Sequence, residues 1–90
     1  MPKIRDNTAR HRLEFDVDGH VAFTEYRRAG DVLTLNHTEV PKQLSGRGIG
    51  STLARNALDW ARAQGLKVVP RCPFIKSYID KHAEYADLLE

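Results

Sequence analysis

Residues 39–61 read EVPKQLSGRGIGSTLARNALDWA and place glycines at positions 46, 48 and 50 directly before a run with helical periodicity. Glycines at alternate positions leave out the Cβ atoms that would keep the backbone away from a bound anion. The first backbone N–H groups of a helix have no intrahelical acceptor, and the helix dipole adds partial positive charge at the same end. The segment therefore predicts a phosphate-binding loop at a helix N-terminus.

The run after this loop has the period of an amphipathic helix. Apolar residues recur three or four positions apart and predict one buried stripe: Ile49, Leu53, Ala57 and Trp60. Trp60 is interpreted as a core residue of this stripe. Gly65 is placed to end the helix, predicted over residues 51–64, in the left-handed conformation. The segment LKVV, residues 66–69, then predicts a short buried strand.

The first 40 residues predict a three-stranded antiparallel meander. Residues 12–17 alternate, with Leu13, Phe15 and Val17 on the apolar face, as a half-buried strand requires. Asp18 and Gly19 supply a hairpin turn, and residues 20–27 and 32–40 are rich in strand formers. Pro41 stops the third strand, because proline cannot donate to a ladder.

The C-terminal residues predict a second helix. Pro70 closes the short strand, and Cys72 and Pro73 are placed at the N-cap and first position of the next helix. Five of its residues share one face: Phe74, Ile75, Tyr78, Ile79 and His82. The tail HAEYADLLE continues this helix or forms a short further turn. The order strand, loop, helix, strand predicts a right-handed βαβ unit, so the fold class is α+β, with a meander followed by β-α-β-α.

Length and composition limit the class of protein. Ninety residues predict a single domain over residues 1–90, and 41% hydrophobic with 29% charged residues argues against disorder. A net charge of +2 suits a small polyanion and disfavours nucleic acid as partner. One cysteine excludes an internal disulfide, and no apolar stretch predicts a signal peptide or membrane span. We expect a cytoplasmic monomer.

Glycine spacing separates three kinds of phosphate loop. A P-loop requires G-x-x-x-x-G-K-[ST], and a dinucleotide fingerprint requires G-x-G-x-x-G; neither pattern occurs here. The segment QLSGRG, residues 43–48, instead resembles the Q/R-x-x-G-x-G/A signature of the GCN5-related N-acetyltransferases. The segments HTEV, GRGIG and CPFIKSYIDKHAEYADLL extend the resemblance to the very small single-domain members of that family.

The resemblance implies the family's minimal fold and acetyl-coenzyme A as cofactor, with its pyrophosphate on the glycine loop. It implies cofactor contacts from these residues: Thr38, Val40, Gln43, Leu44, Ser45, Gly46, Arg47, Gly48, Ile49, Gly50 and Ser51. Ordinary members insert helices between their first two strands, where this chain has only a short turn. The acceptor side is therefore expected to be open, which allows an amine on a peptide or protein as well as a small one.

Acetyl transfer to an amine needs a base for the amine proton and a proton donor for the departing thiolate. Glu39 and His37, two residues apart on the third predicted strand, are the candidate bases; the alternatives are a solvated strand charge and a hydrogen-bonded structural histidine. Tyr78 is the candidate proton donor by resemblance, and a packed phenol is the alternative.

Cys72 is a candidate nucleophile, because a thiol at a helix N-cap beside Arg71 has its thiolate favoured. The resemblance points the same way, and a buried structural thiol is the alternative. The four histidines are too scattered to predict a metal site. The leading hypothesis is an acetyl-coenzyme A-dependent N-acetyltransferase. A non-catalytic acyl-coenzyme A-binding sensor or partner-binding module is the alternative, and a nucleic-acid binder is a third, disfavoured one.

Overall fold

A computed structural model describes residues 4–90. Five strands and two α-helices follow one another along the chain: β1 Arg5–Asn7, β2 Arg12–Val17, β3 His20–Ala29, β4 Val32–Glu39, α1 Ile49–Ala63, β5 Lys67–Pro70 and α2 Pro73–Lys81. Short 3-10 turns lie at Lys42–Leu44 and Ala83–Leu88. No helix in this part of the chain is long and apolar enough to cross a membrane.

The strands form one sheet in the order β1-β2-β3-β4-β5, antiparallel except for the parallel pair β4 and β5. The α+β class and the β-α-β-α order after the meander are confirmed. The number of strands before the loop is wrong, because β1 precedes the predicted three. Residues 5–7 carry no apolar alternation, so the sequence pattern gave no sign of a strand.

Hydrogen bonds to one buried carboxylate hold β1 in place. Glu14 on β2 is 2% exposed although it lies on the sheet face that alternation assigns to solvent. Arg5, Asn7 and Arg12 all donate to its carboxylate oxygens. Burial raises the pKa of Glu14, but these donors outweigh burial and lower it to about 2. These side-chain hydrogen bonds thus stabilise the pairing of β1 with β2, which has no apolar alternation to stabilise it.

The turn between β2 and β3 has the predicted conformation. Asp18 and Gly19 both have positive φ, at 50° and 79°, which is the requirement of a two-residue type I′ hairpin. The register closes directly on either side of it, where Val17 faces His20. Only two residues therefore separate these strands.

A β-bulge in β4 sets which side chains face the helices. The pairing of β3 with β4 steps from Glu25↔His37 to Tyr26↔Leu35, so Asn36 has no counterpart on β3. The extra residue restarts the alternation. Leu35 is buried under the helices, and Thr38 is on the same face, because it pairs with the fully buried Thr24.

The core lies between one face of the sheet and both helices. Leu33 and Leu35 meet Leu58 of α1 and Ile75 of α2 in one cluster. The predicted α1 stripe is partly right: Leu53 and Ala57 are fully buried. It missed three buried residues of the same helix: Ala54, Leu58 and Ala61.

The prediction that Trp60 is a core residue is wrong. Its side chain is only partly buried and packs at the margin of the core. Its ring centroid lies 6.4 Å from that of Tyr26. The small side chains of Ala54, Ala57 and Ala61 occupy the centre of the contact instead. A bulky indole is accommodated at the edge, where it does not hold the helix away from the sheet.

The ends of both helices follow the sequence. Gly65 has φ 72°, and the Leu66 N–H donates to the Ala61 carbonyl, as expected at a left-handed helix end. Cys72 is the N-cap of α2 and Pro73 its first residue, as predicted. The α-helix stops at Lys81, so the tail forms the short further turn rather than a continuation.

Candidate functional site

The glycine loop lines an open cavity of about 270 Å³ at the N-terminus of α1. Gly46 and Gly48 have φ of 79° and 70°, a left-handed conformation that glycine adopts most readily. Gly48 is the N-cap and provides no side-chain cap. Thr52 donates the first bond of the helix, to the Gly48 carbonyl at 3.1 Å. The N–H groups of residues 49–51 therefore precede the helical bonding pattern and are available to an anion.

Gly50 is needed for a different reason, because its φ is not positive. A Cβ atom there would lie 2.9 Å from Cζ of Phe74, whose ring packs over it. Phe74 is 43% exposed and lines the loop cavity. Sequence reasoning placed Phe74 on the helix face with Ile75 and did not connect it with the loop.

The loop cavity is lined mainly by the predicted cofactor residues, and none of the residues 4–90 that line it has a charged side chain. Its lining includes these predicted residues: Val40, Leu44, Ser45, Gly46, Gly48, Ile49, Gly50 and Ser51. Thr38, Gln43 and Arg47 are not part of it. The Arg47 guanidinium pairs with Asp18 at 2.8 Å, which ties the loop to the β2–β3 turn.

A gap opens between β4 and β5 beside this cavity. Their pairing ends at Leu35↔Pro70, and the Cys72 N–H then donates to the Leu35 carbonyl at 2.9 Å. Residues 36–39 of β4 continue without a partner on β5. The chain turns away there into α2, so the gap leads from the loop towards Cys72.

The Cys72 thiol is the end of a short hydrogen-bond chain. It is 5% exposed and donates to the Thr38 hydroxyl oxygen at 3.4 Å, and Thr38 donates to Thr24 at 3.1 Å. Burial raises the pKa of Cys72, but hydrogen bonds from the Thr38 hydroxyl and from the N–H groups of Ile75 and Phe74 outweigh it, so the pKa is lowered. The pKa of Cys72 is lowered, as predicted. The groups that lower it are the Thr38 hydroxyl and the helix N–H groups rather than Arg71. Thr24 and Thr38 carry no local sequence signal, because only the strand register brings them together.

His37 and Glu39 lie together on the opposite face of the sheet. The His37 ring donates to the Glu39 carboxylate at 3.3 Å, and both side chains are more than half exposed. His37 also packs edge-on to Phe23. The predicted catalytic residues are therefore divided, with Cys72 on the helix face of the sheet and His37 and Glu39 on the open face.

Tyr78 is partly buried and packs against the core. Its ring stacks on His82 with centroids 3.9 Å apart, and it also contacts the core next to Tyr85. Burial raises the pKa of Tyr78, so the phenol stays protonated at neutral pH. It lines a small cavity beside the loop rather than the gap at Cys72.

Another cavity and the grouping of metal-ligating side chains also bear on where the site lies. A larger cavity of about 500 Å³ lies at the β1–β2 turn, bounded by Tyr26, Arg27 and Arg28 among others, and it includes none of the predicted site residues. It lacks the free helix N–H groups that the loop cavity has, so the loop remains the candidate. Within residues 4–90 no three His, Cys, Asp or Glu side chains are grouped to hold a metal ion.

The chain is similar to several known proteins. The profile of a family described as GCN5-related N-acetyl-transferase matches residues 11–88. Protein NATD1 of Homo sapiens is 39% identical over 85 residues, covering 88% of this chain and 74% of that protein. Protein NATD1 of Mus musculus is 35% identical over the same length, covering 76% of that protein. The NMR solution structure described as a GCN5-like candidate N-acetyltransferase from Staphylococcus aureus superposes with a TM-score of 0.72 at 25% identity, over 98% of this chain and 87% of that one.

Proposed function

Since this chain belongs to the GCN5-related N-acetyltransferase family, we propose that it transfers the acetyl group of acetyl-coenzyme A to an amine. The observation that carries this proposal is the loop cavity, whose uncapped helix N–H groups adjoin the gap between β4 and β5. One end of the gap offers an anion site and the other leads to a thiol of lowered pKa. That order matches a cofactor with phosphates at one end and a thioester at the other.

The pyrophosphate is proposed to lie on the N–H groups of residues 49–51. The pantetheine arm follows β4 beyond Leu35, where β5 no longer pairs with it. The acetyl group then lies near Cys72 and Thr38. Because no cationic side chain from the described residues lines the loop cavity, we infer that backbone dipoles rather than an ion pair stabilise the phosphate charge there.

Two routes of transfer are proposed for these residues. In the covalent route the Cys72 thiolate attacks the acetyl carbonyl carbon, a new C–S bond forms, and the C–S bond to coenzyme A breaks. The amine then attacks the acetyl-cysteine, the N–C bond forms as the C–S bond to Cys72 breaks and releases the Cys72 thiolate, and the proton of the amine passes to Glu39 or His37. The Thr38 hydroxyl supports the Cys72 thiolate in the first step.

In the direct route the amine attacks acetyl-coenzyme A itself, and Glu39 or His37 takes its proton. These two side chains face solvent on the open side of the sheet, where an acceptor can reach them. The coenzyme A thiolate receives a proton in either route. Tyr78 is protonated at neutral pH and is proposed as that donor, although its ring is stacked on His82.

The acceptor is proposed to be an amine on a peptide or another large molecule. The two-residue turn between β2 and β3 leaves the open face of the sheet without a covering helix in the described part of the chain. A small amine would meet no enclosing wall on that face. A large acceptor brings its own surface to the sheet.

We further propose that residues 1–90 act as one domain, as a monomer, in the cytoplasm. Only two large apolar side chains among the described residues are exposed, Phe74 and Leu89, which favours a monomer. The one free thiol suits a reducing compartment.

The test is incubation with acetyl-coenzyme A and a panel of lysine peptides and polyamines, with release of free thiol and product mass as readouts. Acetylated product formed faster than in a protein-free control supports the proposal. A folded protein that binds coenzyme A and acetylates nothing would support the second candidate, a coenzyme A-binding sensor. The near-complete burial of Cys72 and the separation of the candidate bases onto the other face favour that alternative.

A further inference from the structure

A second cavity adjoins the loop cavity. It has a volume of about 100 Å³ and shares two lining residues, Ser51 and Phe74, with the loop. Its other walls come from α2 and the residue that follows it: Ser77, Tyr78, Lys81 and His82. Of these lining residues, the acetyl-transfer scheme uses only the Tyr78 phenol and the backbone N–H of Ser51.

The lining of the second cavity consists largely of hydrogen-bond donors. Lys81 forms no ion pair within residues 4–90, and no carboxylate lines the cavity. The His82 Nδ1 donates to the Tyr78 carbonyl at 2.8 Å, which leaves the neutral ring only an accepting Nε2, so the donors of the cavity include the Lys81 ammonium and the Tyr78 phenol. Two serine hydroxyls complete the set. A phosphate monoester fits this combination of one free ammonium and several donors.

The two cavities stabilise negative charge with different groups. Among residues 4–90 the loop cavity has backbone N–H groups but no cationic side chain in its lining, and Arg47 of the loop pairs with Asp18. The second cavity supplies an ammonium group. A ligand with two separate phosphate groups would thus find dipoles at one and a point charge at the other.

The Phe74 ring stands where the two cavities meet. It lies against the backbone of Gly50, since a Cβ there would come within 2.9 Å of its Cζ, and it is nevertheless 43% exposed. An exposed aromatic ring beside a phosphate site is a stacking surface for a nucleobase. The second cavity has room for roughly three water molecules, which is enough for a phosphate group but not for a purine as well.

We propose that the second cavity binds the 3′-phosphate of coenzyme A through Lys81, and that the exposed Phe74 ring stacks on its adenine. The inference rests on the proposed function, because coenzyme A carries this 3′-phosphate on the ribose next to its pyrophosphate. It adds a specificity: the chain distinguishes coenzyme A from its 3′-dephospho form by the charge of one lysine.

The test compares coenzyme A with 3′-dephospho-coenzyme A by titration calorimetry at low ionic strength. We expect the parent to bind coenzyme A about fivefold to tenfold more tightly. Lys81→Met should bring the two dissociation constants together without changing that of the dephospho form. Lys76→Gln is the matched control, because Lys76 lies on the same helix with its ammonium 3.5 Å from Asp80, and it should keep the parent's ratio.

A second variant tests the aromatic ring. Phe74→Ala should weaken both nucleotides by the same factor and leave the affinity for 4′-phosphopantetheine unchanged. Equal binding of the two nucleotides by the parent, or an unchanged ratio in Lys81→Met, would overturn the phosphate assignment. Unchanged nucleotide binding in Phe74→Ala would overturn the stacking assignment. If the parent bound neither nucleotide, the proposed function itself would fail, and this inference with it.

Discussion

The sulfur of Cys72 and the hydroxyl oxygen of Thr38 lie 3.4 Å apart, joining the N-terminus of α2 to the strand before the glycine loop. The contact gives the thiolate a donor that its own helix does not supply. When Cys72 is a thiol, Thr38 accepts from it and donates to the buried Thr24; when Cys72 is a thiolate, the single Thr38 hydroxyl hydrogen is donated to the sulfur instead. The reactivity of the cysteine thus depends on a residue 34 positions away in sequence.

Thr38→Val should raise the pKa of Cys72, because the hydroxyl that stabilises the thiolate is removed while burial remains. The measurement is thiolate absorbance near 240 nm as a function of pH, which does not require reagent access to the buried sulfur. Thr34→Val is the control, since this threonine is on the same strand but outside the chain of hydroxyls. An unchanged titration in Thr38→Val would contradict the assigned cause.

Gly48→Val should abolish coenzyme A binding, because a branched side chain is strained at φ 70° and intrudes on the loop N–H groups. We expect a stability loss of about 1–2 kcal/mol from the strain. Gly30→Val makes a matched control: Gly30 also has positive φ, 59°, but lies in the turn between β3 and β4. It should lose similar stability and keep binding. A folded Gly48→Val with parental affinity by calorimetry would show that the loop does not hold the cofactor.

Coenzyme A should raise the melting temperature of the parent, because it binds only the folded chain. At a ligand concentration 100 times the dissociation constant the stabilisation is about 2.7 kcal/mol. Differential scanning fluorimetry at increasing coenzyme A measures this shift. A melt that does not move at saturating ligand would count against the whole functional proposal.

Cys72→Ser separates the two routes of transfer. If the covalent route operates, intact parent incubated with acetyl-coenzyme A alone gains one acetyl group, about 42 mass units, on Cys72, and Cys72→Ser loses both adduct and turnover. If transfer is direct, Cys72→Ser stays active and Glu39→Gln is the damaging change, with an altered pH profile. Intact-protein mass spectrometry and initial rates distinguish these results. Full activity of Cys72→Ser rules out the covalent route.

Glu14 should make the fold sensitive to acid. Its folded pKa of about 2 is below the ordinary value of 4.5, so its contribution is fully present above pH 4.5 and is lost as the pH falls towards 2. We expect Glu14→Gln to cost roughly 2–3 kcal/mol at pH 7 and to flatten this pH dependence. Urea unfolding at pH 7, 4 and 2.5 measures both effects. Asp16→Asn is the control and should change little, because the ion-pair partner of Asp16 within residues 4–90 is the exposed Arg5.

Local signals in the sequence were sufficient for most of the fold. The turn at Asp18 and Gly19, the end of α1 at Gly65 and the start of α2 at Cys72 each depend on the conformational preference of one or two residues, and all three are confirmed. β1 was missed because its pairing depends on polar side chains of another strand. Trp60 was misplaced because helical period identifies a face but not the centre of the contact.

The candidate site was predictable only in part, for a similar reason. The glycine loop is contiguous in sequence, so its residues could be named together. Cys72 and Thr38 are distant in sequence, and only the fold brings them into contact. His37 and Glu39 were predicted to lie beside the thioester with Cys72, because strand alternation does not reveal which face of the sheet the helices cover. Phe74 and Lys81 join the loop only through the packing of α2 beside α1.

Asn36 matters as an additional residue in β4 rather than for the chemistry of its side chain. It immediately follows Leu35, the last residue of β4 that pairs with β5, and it is also the residue that β3 skips. A bulge increases the local twist of a strand. The additional residue therefore interrupts the pairing of β4 with β3 at the same point where β4 separates from β5. Removing it would let β3 and β4 pair continuously with every flanking side chain on its present face. This position should therefore tolerate many substitutions, and its deletion should keep the fold but remove the extra twist at the point where β4 separates from β5.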